Sequence, residues 1–135
     1  MIKDIDFRKV TNLAMAVTPD EKTGEEVTMW KVYLINLRDR AISNVMVSSE
    51  GYGEIDGKAV KTSALRQFIE KVDAEGYVEL EILPKELTTL NNQFWVSFWV
   101  DGILYDKKYV FVTESIQEDF FTNIPVVAKR GVMII

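Results

Sequence analysis

Ser97 and Asp106, with Trp95, Trp99 and Lys108 around them, are the residues of this sequence whose types and spacing could do chemistry. All lie in NQFWVSFWVDGILYDKKYVFVT, residues 92–113. If Asp101 and Gly102 form a two-residue turn, Ser97 faces Asp106 and Trp95 faces Lys108, with Trp99 opposite Leu104. A serine beside a carboxylate is the start of a nucleophile–base pair. No third group is placed to orient the base, so a cross-strand polar pair on a wet face is the stronger reading. Two tryptophans beside a lysine suit a stacking platform for a base or a sugar, with the ammonium over a ring. The competing expectation covers both indoles with a loop or the C-terminal segment, because large aromatics are mostly buried. The candidate binding residues are thus Trp95, Ser97, Trp99, Asp106 and Lys108, and no residue is assigned a catalytic role.

The rest of the inventory narrows the chemistry. The chain contains no Cys and no His, which removes thiolates, disulfides, the commonest general base and the commonest transition-metal ligand. No phosphate-cradling or dinucleotide glycine motif and no G-x-S-x-G occurs. Glu50, Glu54 and Asp56 stand among glycines, but counting from Glu50 puts Tyr52 and Lys61 where a calcium loop wants its third and twelfth ligands. Glu79 and Glu81 are two apart, so on a regular strand they share a face, and the plain reading is the wet side of an antiparallel sheet. No metal and no cofactor is expected. Lys plus Arg number 16 against 21 Asp plus Glu, a net charge of −5 that exerts no long-range pull on phosphate backbones or anionic membranes. Arg38, Arg40, Lys58, Lys61, Arg66, Lys107 and Lys108 are scattered along the chain.

The elements that must position these side chains read mostly as strands. In residues 11–18, Leu13, Met15 and Val17 alternate with Ala14 and Ala16, a half-buried first strand. Pro19 to Glu26 is a charged loop, and residues 1–9 are a short strand or arm. Val27 to Leu37 is apolar on both faces and reads as a central strand, turning through residues 36–40 into a hairpin partner at 41–49. Residues 50–61 are a loop, or a hairpin turning at Asp56 and Gly57. Thr62 to Asp73 has helical periodicity, yet strands flank it, so an irregular strand is favoured with a helix as the alternative. Tyr77 to Leu83 alternates with Val78, Leu80 and Ile82 inward. Pro84 to Asn92 connects to the long hairpin, with Leu87 and Leu90 as plugs. Ser115 to Glu118 fits a capping box ahead of a short helix with Phe120 and Phe121, stopped at residues 123–125. The apolar VVAKRGVMII either adds a strand to a sheet edge or pairs with another chain.

This pattern predicts a mainly β, antiparallel β-sandwich of immunoglobulin- or fibronectin-like form. It is one domain over residues 1–135, with residues 115–135 as a short helix or irregular segment packing on the domain or on a partner. A barrel is the runner-up. Met1 to Val10 lacks an apolar signal core and no run approaches a membrane helix, so the expected compartment is the cytoplasm, with no membrane partner.

The runs NVMVSSEGYGEIDGKAVKTSALRQF, NNQFWVSFWVDGILYDKKYVFV and IPVVAKRGVMI resemble a small family of uncharacterised bacterial proteins often labelled phenylalanyl-tRNA synthetase subunit or β-chain domain. The likeness covers most of the chain. It implies an RNA- or tRNA-associated accessory domain, and it carries no functional residue of the synthetase onto a position here. Two expectations follow. The preferred one is a non-enzymatic interaction module that binds a protein partner or itself. The alternative is the tRNA-associated domain, which the net charge disfavours. An enzyme working with carboxylates alone ranks behind both.

Overall fold

A computed structural model describes residues 10–20 and 27–135. The expected N-terminal strand or arm lies outside these residues, as does most of the charged loop after Pro19. Among the described residues ten strands form: β1 (Leu13–Pro19), β2 (Met29–Asn36), β3 (Ile42–Ile55), β4 (Lys58–Lys61), β5 (Leu65–Val72), β6 (Gly76–Pro84), β7 (Asn91–Val100), β8 (Ile103–Phe111), β9 (Thr122–Ile124) and β10 (Lys129–Ile134). The protein is mainly β, with two antiparallel sheets. The first runs β6-β2-β1-β10-β9, and the second β4-β3-β7-β8, with β5 also paired to β3.

Alternation along the strands decides what is buried. Leu13, Met15 and Val17 of β1 and Val32 and Leu34 of β2 enter one apolar cluster with Val45 and Val47 of β3 and Phe94, Val96 and Phe98 of β7, so both sheets feed a single core. Ala14, Ala16, Tyr33, Ile35 and Ile124 form a second cluster on the opposite side of the first sheet. β1 is consequently buried along its whole length, not half-buried, because it lies between β2 and β10 and is covered on both faces. Tyr109 of β8 donates its hydroxyl to the Leu13 carbonyl at 2.6 Å, a buried bond between the sheets. Gln67 of β5 donates to Leu80 of β6 at 2.6 Å and joins them again.

The expected hairpin between β2 and β3 does not form. β2 pairs with β1 and β6, whereas β3 pairs with β4, β5 and β7, so the chain changes sheet between Asn36 and Ile42. The buried Asn36 holds this corner. Its amide donates to Arg40 O at 2.8 Å and Asp73 O at 3.1 Å, with Val72 O at 3.3 Å, and its carbonyl accepts from Arg38 N at 3.1 Å. It thus ties the β2–β3 crossing to the second crossing, from β5 to β6.

Other segments sharpen or revise the sequence reading. Leu65–Val72 is a strand, because pairing with β3 overrides a local helical period. Asp56 and Gly57, at φ of 52° and 77°, turn the chain from β3 into β4. In β6 the register slips: Val32 pairs with Glu81, but Tyr33 pairs with Glu79, leaving Leu80 as the extra residue. Glu79 and Glu81 therefore do not share a face. Glu81 follows the inward Val32, Leu80 is still buried, and Ile82 turns out to solvent opposite Lys31. No capping box forms at Ser115, whose hydroxyl bonds back to Val112 O. A single 3-10 turn spans Glu118–Phe120, its N-terminal residue Gln117 makes no side-chain cap, and residues 122–124 pair as β9. The C-terminal segment resolves in favour of a strand, since β10 pairs with β1 and β9.

Candidate binding face

The β7–β8 hairpin positions the candidate residues. Asp101 and Gly102, at φ of 51° and 74°, make the two-residue turn that an Asp-Gly pair favours. The register follows from that turn: Val100 pairs with Ile103, Phe98 with Tyr105, Ser97 with Asp106, Trp95 with Lys108 and Phe94 with Tyr109. These are the pairs read from the sequence. The inner face is packed: Phe98 stacks on Tyr105 at 5.4 Å, and Phe94 meets Phe111 edge-on at 6.0 Å.

The outer face is open. Trp95 is 46% exposed and Trp99 43%. The expectation that a loop or the C-terminal segment roofs them is wrong, because that segment is used as β9 and β10 in the other sheet. Trp30, by contrast, is buried and packs edge-on against Phe121 at 5.9 Å.

Tertiary pairing adds residues that the hairpin alone does not suggest. Met46 of β3 lies opposite both Ser97 and Phe68 of β5, and Ser48 lies opposite both Trp95 and Arg66. One cross-strand row therefore reads Arg66, Ser48, Trp95, Lys108, and the next reads Phe68, Met46, Ser97, Asp106. Phe68 is 62% exposed, Met46 54% and Leu104 52%. With the two tryptophans they make an apolar face across four adjacent strands. A shallow hollow of about 150 Å³ lies between Met46, Ser48, Arg66, Trp95 and Ser97. The signal for Phe68 was present in the sequence: once residues 65–72 are a strand, a period of two sets Phe68 against the inward Ile69.

The geometry bears differently on each candidate. Ser97 and Asp106 are register partners, but no hydrogen bond joins them among the described residues. The cation–π contact of this hairpin is made by Lys107, not Lys108. Its ammonium lies 4.9 Å from the Tyr109 ring centroid, on the inner side. Burial pushes the Tyr109 hydroxyl far above the usual phenol range, so it stays a hydrogen-bond donor. Arg40 closes on Asp101 at 2.8 Å across exposed surface, and Lys61 reaches Glu50 at 3.8 Å. That leaves Arg66 and Lys108 as the basic residues in the row that contains Trp95.

No protein-family model matches this chain, and no match is found among curated proteins. Among the described residues no helix is long and apolar enough to cross a membrane.

Proposed function

We propose that this chain is a non-enzymatic interaction module of the cytoplasm, built as an immunoglobulin- or fibronectin-like β-sandwich, and that the outer face of its second sheet binds a protein partner or a second copy of itself. The observation that carries this reading is the contiguous exposure of Met46, Phe68, Trp95, Trp99 and Leu104 on neighbouring strands. Contiguous apolar patches of this kind mark interaction sites, and tryptophan supplies much of the energy in such interfaces. A core shared by the two sheets and the Tyr109–Leu13 bond support the sandwich.

Sedimentation of the purified protein, alone and with partners captured from lysate, tests the proposal. Trp95→Ala and Phe68→Glu should each weaken association roughly tenfold or more, with little change in unfolding midpoint because both side chains are exposed. A strictly monomeric protein that captures no partner overturns the reading.

The row of Arg66, Trp95 and Lys108 favours a second reading, a tRNA-associated accessory domain, in line with the resemblance to proteins labelled as phenylalanyl-tRNA synthetase subunits. It expects tRNA binding that weakens steeply with salt and is lost in Trp95→Ala or Lys108→Ala. Absence of tRNA binding at low salt removes it.

A further inference from the structure

On the opposite side of the second sheet from the open face, a cleft of about 260 Å³ enters the molecule between the sheets. Its walls are Leu65, Leu83 and Phe94, and its polar lining comes from Ser49, Glu81 and Asn92. The slip in β6 is what aims Glu81 here, in register with the inward Val32, instead of leaving it on the wet face with Glu79. Ser49 is buried and lines the cleft beside Glu81.

The polar groups of the cleft are matched to a donor. Asn92 is buried and uses its amide protons on Leu87 O at 2.9 Å and Leu90 O at 3.2 Å, so it presents its carbonyl oxygen, beside Gly51. Thr62 accepts from Gly51 N at 2.8 Å and donates to Ser63 O at 3.2 Å, so its hydroxyl is already occupied. The charged lining residues among those described are Glu81 and Glu50, and Lys61 of β4 meets Glu50 at 3.8 Å through an exposed side chain. The lining is thus rich in acceptors, carries negative charge and sits between apolar walls. A primary ammonium offers three donors and no acceptor, and its aliphatic stem suits leucine and phenylalanine walls. The volume lies below the roughly 300–1,000 Å³ of sites for drug-sized ligands, which fits a short chain.

We propose that this cleft binds a primary ammonium group at the end of an aliphatic chain, as a lysine side chain of a protein partner would present it, with the ammonium held by Glu81 and Asn92 and the stem between Leu65, Leu83 and Phe94. The site is separate from the open face and stands or falls independently of it.

Burial raises the Glu81 carboxyl above its ordinary range, with the neighbouring Ser49 hydroxyl pulling part of the way back. A bound ammonium favours the carboxylate, so any proton on Glu81 before binding goes to the buffer. Binding therefore weakens as the pH falls through the Glu81 pKa.

The test is an amide-resolved NMR titration of the whole chain with n-butylammonium, carried into the tens of millimolar, with 1-butanol as the uncharged control. Expected are shifts centred on Ser49, Gly51, Leu65 and Leu83, butanol weaker by roughly tenfold or more, and a similar loss in Glu81→Gln. Glu81→Gln keeps the side chain's shape, removes the charge and exchanges one acceptor oxygen for an NH2 donor. Ser49→Ala, read alongside, should shift the pH midpoint of butylammonium binding upward. Equal binding of butanol and butylammonium, full affinity in Glu81→Gln, shifts elsewhere on the surface, or no binding at all overturns the proposal.

Discussion

Tyr109 shows how a single side chain can bridge two sheets. Tyr109 sits in the core with its hydroxyl on the Leu13 carbonyl, 96 residues away in sequence. Tyr109→Phe keeps the ring and its packing and removes the bond, so a loss of about 1 kcal/mol is expected by urea unfolding, somewhat more if the carbonyl finds no water. Glu81 acts in the opposite sense. Its folded pKa lies above its unfolded value, so the native state holds the proton more tightly. The stability that proton binding contributes is present at acid pH and is lost as the pH rises above the unfolded carboxylate range through the raised pKa. Glu81→Gln should therefore be more stable than the parent protein near about pH 7 and gain little near about pH 4; unfolding midpoints measured at the two values check this.

At the scale of elements, the β7–β8 hairpin and β10 are set by different means. The hairpin is specified locally. Asp101 and Gly102 select the turn, and the turn selects every pair up to Phe94 and Tyr109. β10 depends on a close approach to β1. A Cβ added at Gly131 would overlap the Val17 carbonyl. Gly131→Ala should consequently cost stability toward the upper end of about 1–3 kcal/mol, since the obstacle is backbone and cannot rotate away. The amides of residues 132–134 should then lose protection first in hydrogen exchange. β6 is a third case. Tyr77 to Leu83 alternates as a regular strand should, yet the extra residue at Leu80 exchanges the faces of Glu81 and Ile82. Nothing in the local composition marks that slip, which arises from pairing with β2.

For the whole molecule, the crossings between sheets decide the architecture. Asn36 fastens two of them at once, from β2 to β3 and from β5 to β6, through Arg40 on one side and Val72 and Asp73 on the other. Asn36→Ala removes one buried and three part-buried hydrogen bonds to the backbone, and a loss of about 2–4 kcal/mol in chemical denaturation is expected, with cooperativity reduced if the sheets begin to separate. The same crossings leave the outer face of the second sheet uncovered. The C-terminal strands are taken into the first sheet, so no part of the described chain lies over Trp95 and Trp99.

What the sequence determined by itself is whatever rests on neighbouring residues. Strand alternation and the Asp-Gly turns established a mainly β chain and a hairpin in its correct register. They also placed Trp95, Ser97, Asp106 and Lys108 on one face. The strand at Leu65–Val72 was legible only by context, because its apolar spacing also fits a helix. Tertiary structure alone decided which strands are neighbours, and three outcomes follow from that. β2 and β3 part into different sheets, Met46 and Phe68 join the tryptophans, and Glu81 turns inward. The reason is physical: pairing between distant strands depends on how both faces of each strand can be buried at once, and that balance is struck over the whole chain.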